Sequence, residues 1–154
     1  MRDAAISLPR INTLHPKFRA QAQAFVEDAE NTLNLTFRVA SAFRSFAEQQ
    51  KDYDQGRKIP GKIITWSPPG TSYHNYGLAV DIVVVNPDGS INWNYDYRNV
   101  LPIAARHGIA AGLNFPSGKK DPDHFENTFG YNWRDLLHKY NAGDFIPGTQ
   151  YVNI

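Results

Sequence analysis

Apolar residues recur along this chain with two different periods. In PKFRAQAQAFVEDAENTL (residues 16–33), Phe18, Ala22, Phe25, Ala29 and Leu33 return every three or four positions and share one helical face. Pro16 opens that segment, where its missing N–H does no harm. Leu35, Phe37 and Val39 then alternate with polar or small residues, which predicts a strand. Ser45 and Glu48 have capping-box spacing ahead of a stretch that ends at Gly56, predicting a helix of about three turns. Leu78–Val85 (LAVDIVVV) is apolar and β-branched except at Asp81, and reads as a strand buried on at least one face. Asn86-Pro87-Asp88-Gly89 is a strong turn signal before a short strand at 90–93. Weaker patterns predict strands at 62–66, 109–113 and 123–129 and a helix from Tyr97 to His107 that Pro102 kinks or starts. A last helix runs from the Asn132 cap to Tyr140, and the tail reads as loop. Helices first, then strands interleaved with helices, point to an α+β fold around a small, mainly antiparallel sheet.

Composition narrows the chemistry. The chain has 154 residues, 42% hydrophobic and 20% charged, enough for one domain with a real core. Net charge is +1, and the basic clusters Arg57-Lys58 with Lys62 and Lys119-Lys120 are short. That argues against a nucleic-acid partner. With no cysteine, disulfides and thiolate metal sites are excluded, so any metal must be held by His, Asp or Glu. The opening MRDAAISLPRINTLHP has no apolar signal core, and no run reaches membrane-spanning length. We expect a chain made in the cytosol without a signal peptide and without membrane insertion.

Asp81 is the anomaly. An unpaired carboxylate in a buried strand costs several kcal/mol or more, so it needs a cation, a metal or strong donors. Of the five histidines, His15 suits a helix start or the surface, His107 a helix C-terminus and His138 an exposed helix face. His74 and His124 differ, because each adjoins a carboxylate and a predicted strand. His74, Asp81 and His124 have the chemistry of a three-ligand zinc set, with a spare carboxylate in DPDHFE (residues 121–126) to take a proton. Spacing alone leaves a rival open: Asp81 pairs with an arginine such as Arg44, and both histidines are core residues. The stronger HExxH signature is absent.

Ser72-x-His74-x-x-Gly77-x-Ala79-x-Asp81 resembles, at every defining position, the SxHxxGxAxD motif of the LAS metallopeptidases. That group contains D-Ala-D-Ala carboxypeptidases and dipeptidases, phage-lysis L-alanyl-D-glutamate endopeptidases and the hedgehog domain. FRSFAEQQKDYDQGRKIPGKIIT resembles the family's arginine-serine segment, helix and Gly-Arg loop, and DPDHFE resembles its D-x-x-H-F-[EQ] ending. The similarity covers residues 35–130 or so.

The resemblance implies a hedgehog/D,D-peptidase-like fold and a single catalytic domain over 1–154 with no separate wall-binding domain. It implies Zn2+ held by His74, Asp81 and His124, Asp121 as the catalytic carboxylate, and Arg44 steadying the substrate carbonyl or its oxyanion. Ser72 matches a motif serine near the substrate, and we expect Glu126 to orient an imidazole from behind. By strand parity Asp123 should turn away from the metal. Tyr73, Tyr76 and Trp66 surround the motif as packing residues or as the lining of a muropeptide groove. The D-x-x-H acid and the Gly-Arg-x-x-Pro-Gly-Lys-x-x-Thr loop match the endopeptidase branch best. The implied activity is hydrolysis of L-Ala–D-Glu in peptidoglycan stem peptides by a monomeric phage-type endolysin, released from the host cytoplasm onto the cell wall. The alternatives are a D,D-carboxypeptidase trimming terminal D-Ala and a non-catalytic zinc-bearing binding module.

Overall fold

The computed structural model describes residues 1–154. Its elements are α1 (Ala4–Ile11), α2 (Pro16–Leu33), β1 (Thr36–Ser41), α3 (Phe46–Asp54), β2 (Ala79–Val85), β3 (Ile91–Asn92), α4 (Leu101–Arg106), β4 (Ala110–Ala111), β5 (His124–Glu126) and α5 (Trp133–Asn141). This is the expected α+β class. Every strand pairing is antiparallel, in the order β1-β2-β5-β4, with β3 joined to the far end of β2.

The helices bury the stripes their sequences predict. Phe18, Ala22, Phe25, Val26 and Ala29 of α2 are fully buried against Phe37, Val39, Val80, Ile82 and Phe125 of the sheet. Phe25 and Phe125 meet with ring centroids 5.1 Å apart. The predicted Ser45–Glu48 capping box forms on α3, and the predicted Asn132 cap of α5 is completed by Asp135 into a second box.

β1 is an edge strand, and the two N-terminal helices close that edge. The Phe37 N–H donates to Glu30 Oε1 (3.1 Å) and the Val39 N–H to Ser7 Oγ (3.0 Å). Arg10 donates to the Val39 carbonyl at 2.7 Å. Buried polar side chains thus satisfy backbone groups that would otherwise template another strand. They also hold β1, and with it the sheet's register, in place.

Several expectations change in detail. Helix α1 has no predicted counterpart, since it is short and carries Pro9 within it. His15 is a cap, as expected, but it is buried, not a surface residue. Its Nδ1 accepts from the Lys17 N–H at 3.2 Å and its Nε2 donates to the Val152 carbonyl at 2.8 Å. The segment 62–66 is an irregular loop instead of a strand. Side chains from α3 and its C-terminal turn take its carbonyls: Gln55 bonds Lys62 O (2.9 Å), Arg57 bonds Thr65 O (3.0 Å) and Gln49 bonds Ser67 O (2.7 Å). The region 97–107 starts as a 3-10 turn and becomes helical only at Leu101, so Pro102 sits in the first turn of α4, where proline is tolerated. Strands at 109–113 and 123–129 shrink to two and three residues.

Candidate metal centre

Strand register assembles half the site. In the β2–β5 ladder Asp81 lies directly opposite His124. His74 arrives from a 3-10 turn over Tyr73–Tyr76, whose N-cap Ser72 accepts the His74 N–H at 3.3 Å. Gly77 ends the turn at φ +71°, and a Cβ there would stand 2.5 Å from the His15 nitrogen. Only glycine lets this loop close against the start of α2. Asn75 ties the loop down by accepting from the Gly70 N–H (3.0 Å) and donating to the Arg44 carbonyl (3.0 Å).

Three ligand atoms converge. His74 Nε2 lies 3.1 Å from Asp81 Oδ1 and 3.2 Å from His124 Nδ1, and His124 Nδ1 lies 3.2 Å from Asp81 Oδ1. The outer nitrogens define the tautomers. His74 Nδ1 is 2.7 Å from the Ala42 carbonyl, which can only accept, so that nitrogen carries the hydrogen. His124 Nε2 is 2.7 Å from Glu126 Oε2 and donates to it. In its neutral form each imidazole turns a lone pair inward, toward the other and toward a carboxylate oxygen. Three lone-pair donors facing one another repel unless a cation or proton lies between them. Their spacing is close to the edge of a tetrahedron with metal bonds of about 2.0–2.1 Å, roughly 3.3 Å. The donor set fits a tetrahedral divalent cation.

Electrostatics agree. Burial opposes ionisation of Asp81, whose side chain is 19% exposed, yet His74 and His124 hold its carboxyl well below the usual carboxylate range. Burial also opposes a charge on His124, but Asp81 and Glu126 outweigh it and push the imidazole up to about 10. The site favours positive charge at this point. Arg44 stays at the margin, with its Nη2 at 4.0 Å from Asp81 Oδ2, too far for a close pair. Its guanidinium is instead held by Gln49 (3.2 Å), Ser41 (3.2 Å) and Asp52 (3.5 Å).

The acids of DPDHFE separate by position. Asp121 opens a turn in which the His124 N–H donates to its carbonyl at 3.2 Å, bringing its carboxylate to 3.9 Å from His124 Nδ1. That side chain is 54% exposed to a cleft of about 490 Å³. Glu126 stands behind His124, away from the inward-facing nitrogen. Asp123 does not turn away as parity predicts. Its carboxylate reaches within 4.8 Å of those of Asp81 and Asp121. Alternation begins only at His124, where β5 starts, and the turn before it folds Asp123 back. Burial, with Asp81 and Asp121 adding to it, pushes the Asp123 carboxyl up to about 7.

The D-alanyl-D-alanine carboxypeptidase family VanY matches residues 11–127, three quarters of the chain and every site residue above. The chain belongs to this VanY family. It is 40% identical over 96 residues to the peptidoglycan L-alanyl-D-glutamate endopeptidase CwlK of Bacillus subtilis (strain 168). That alignment covers 62% of this chain and 57% of CwlK, so the match spans little more than half of the relative's length. Among solved structures, the Serratia marcescens L-Ala D-Glu endopeptidase ChiX superposes with a TM-score of 0.59 at 24% identity, covering 87% of this chain and 92% of ChiX. A vancomycin-resistance D,D-pentapeptidase VanY in complex with Zn(II) gives 0.57 at 22% identity, over 81% of this chain and 78% of that one. At these identities the superpositions speak for the fold.

The VanY-family motif residues do not complete the cleft alone. Its walls also carry Ile64, Trp66, Phe115, Lys119 and Lys120. Phe115 packs 5.6 Å from the His124 ring. Gly112 lets the Asp121 turn come close, since a Cβ there would lie 3.0 Å from His124 Cβ and overlap the Asp121 carbonyl. Gln49 is fully buried and joins Arg44 to the His74 loop through Asn75 (3.4 Å). Trp66 lines the cleft as one of the aromatics noted beside the motif, but Gln49 and Gly112 have no local sequence signature: Gln49 reads as an ordinary helix polar residue and Gly112 as a loop glycine.

Proposed function

We propose that this chain is a zinc-dependent peptidase that hydrolyses the L-Ala–D-Glu bond of peptidoglycan stem peptides. The observation that carries the reading is the inward-facing lone-pair set of His74, Asp81 and His124 with the Asp121 carboxylate beside it on an open cleft. CwlK supports the choice of bond. Bound at this site, zinc supplies Lewis-acid polarisation of a carbonyl and a water of lowered pKa.

The chain's own residues do the rest. Asp121 accepts a proton from the attacking water and delivers it to the leaving amine, so a water and an amide become a carboxylate and an ammonium. Arg44, fixed by Gln49, Ser41 and Asp52, donates to the oxygen on which charge develops, an interaction worth about 3 kcal/mol when such a donor is removed. Glu126 and the Ala42 carbonyl keep the imidazoles in their inward tautomers. Ser72 lines the cleft while capping the His74 turn.

A second reading, removal of terminal D-Ala, is favoured by the VanY family match. Mass spectrometry of muropeptides after digestion separates the two. A new D-Glu amino terminus with no free D-Ala supports the endopeptidase, and free D-Ala with an intact L-Ala–D-Glu bond supports the carboxypeptidase. The setting we propose, a monomeric phage-type endolysin released onto the wall, rests on the motif resemblance alone. Added purified protein should then lyse permeabilised bacteria.

A further inference from the structure

We infer that Lys119 and Lys120 form a recognition site for a carboxylate on the residue whose amine leaves, so that stem peptides with ionised D-glutamate are preferred to those in which that carboxyl is a primary amide. The inference rests on the endopeptidase reading above. Both lysines line the cleft and are exposed, immediately before Asp121. Lys58 and Lys139 have carboxylate partners in Asp54 and Asp144, whereas neither cleft lysine makes an ion pair. Lys120 Nζ touches only the Leu113 carbonyl, at 3.0 Å. The backbone beneath them is fixed, because the Lys119 N–H donates to Pro116 O (2.9 Å) and the Asp121 N–H to Gly112 O (3.1 Å). Arg44, the other cation of the cleft, is already held by Gln49, Ser41 and Asp52.

Chemistry supplies the direction. Asp121 must reach the leaving nitrogen to protonate it, so its turn marks the D-glutamate side of the cleft. An N-acylated glutamate has two carboxyl groups, and only one can continue the stem. The other stays free or becomes a primary amide. If it is the α-carboxyl, its carbon is about 2.5 Å from the leaving nitrogen, two bonds away. Such a substrate brings a negative charge up against Asp121, a like-charge contact that opposes binding. Two unpaired ammonium groups on the same turn offset that repulsion and give the carboxylate charge-assisted partners.

The test uses the metal-loaded full chain and a matched pair of peptides, L-Ala–D-Glu–L-Lys with its free carboxylate and the same peptide bearing the primary amide. The amide keeps the shape and removes the charge. Wild type should cut the acid roughly tenfold better in kcat/KM, the low end for a hydrogen bond to a charged group because both lysines are exposed. The difference should lie in KM and shrink as salt is raised. In a Lys119→Met, Lys120→Met double variant the acid-to-amide ratio should fall toward one, and the Lys119→Arg, Lys120→Arg double variant should keep it. Equal cleavage of both peptides by wild type, or an unchanged ratio in the Met variant, overturns the inference while the endopeptidase reading stands. If neither peptide is cut but a D-Ala-D-Ala-ended peptide is trimmed, the endopeptidase reading itself fails and this inference falls with it.

Discussion

Gly112→Ala tests whether the position of Asp121 sets the rate. Gly112 is not among the glycines with positive φ, so alanine meets no backbone penalty there. The added methyl does meet a wall. It would lie 3.0 Å from His124 Cβ and 3.1 Å from the Asp121 carbonyl carbon, with the Asp121 oxygen closer still. Comfortable carbon contacts are about 3.5–4.0 Å, so the Asp121 turn must retreat by roughly 1 Å. Overpacking of this kind costs about 1–3 kcal/mol. For a chain of this length that lowers the melting temperature by roughly 2–4 °C per kcal/mol. A displacement of about 1 Å at a proton-transferring carboxylate can cost on the order of 10²-fold in turnover. The assay is a melting curve, the metal content and kcat on a muropeptide for wild type and variant side by side. Turnover should drop more than metal content, because the tightest clash falls on the Asp121 carbonyl and the contact with the ligand His124 is at its Cβ, not its ring. Wild-type turnover in a variant that melts normally would refute the claim that this approach positions the acid.

His74→Ala and His124→Ala should each lose bound zinc, as metal analysis after dialysis would read; full occupancy in both would remove them as ligands. Asp121→Asn should keep its metal and fold but lose about 10²-fold or more in turnover, while Asp123→Asn stays within about tenfold; the reverse order in kcat would move the base to Asp123. Glu126→Gln should weaken metal affinity by about 10- to 100-fold in a competition titration with a chelator, because the His124 Nε2–H then donates to a neutral partner; unchanged affinity would deny Glu126 its orienting role. Burial holds the His15 imidazole below its ordinary value despite the Val152 carbonyl. The unfolded chain therefore binds the extra proton first as pH falls below about 6.5, and folded stability declines there. In His15→Gln this part of the decline should vanish from melting temperatures measured between pH 7 and 5, and an identical pH profile would contradict it.

Long periodic segments were legible in the sequence, and short ones were not. Helix α2 occupies Pro16–Leu33, the span its apolar stripe predicts, because four buried turns need that stripe. Strand β2 follows its β-branched run to Val85. At 62–66 the local propensity is genuine, with Ile63, Ile64 and Trp66 close together, but the segment pairs with no strand of the sheet. Side chains of α3 and its C-terminal turn take the carbonyls instead, and those apolar side chains stay exposed, Trp66 at 67%. Helix α1 shows the converse. Its sequence is short and interrupted by Pro9, and it forms against β1, where Ser7 and Arg10 answer backbone groups of the edge strand.

The site divides in the same way. His74, Asp81 and His124 follow from a motif whose spacing is set by one loop and one strand pairing, so sequence distance translates into space. Asp123 failed because parity is a property of a strand, and at residue 123 there is still a turn. That failure is informative about the chemistry. The turn that folds Asp123 inward is the turn that carries Asp121 to His124, so the two carboxylates come together or not at all. The protein thus crowds Asp81, Asp121 and Asp123 within 4.8 Å, an arrangement that like charges oppose unless positive charge or a shared proton is present. A divalent cation held by His74, Asp81 and His124 would relieve part of that repulsion, and burial together with Asp81 and Asp121 raises the Asp123 carboxyl toward its protonated form. Asp121 is the acid of the three whose side chain opens most to the cleft, where an attacking water would stand.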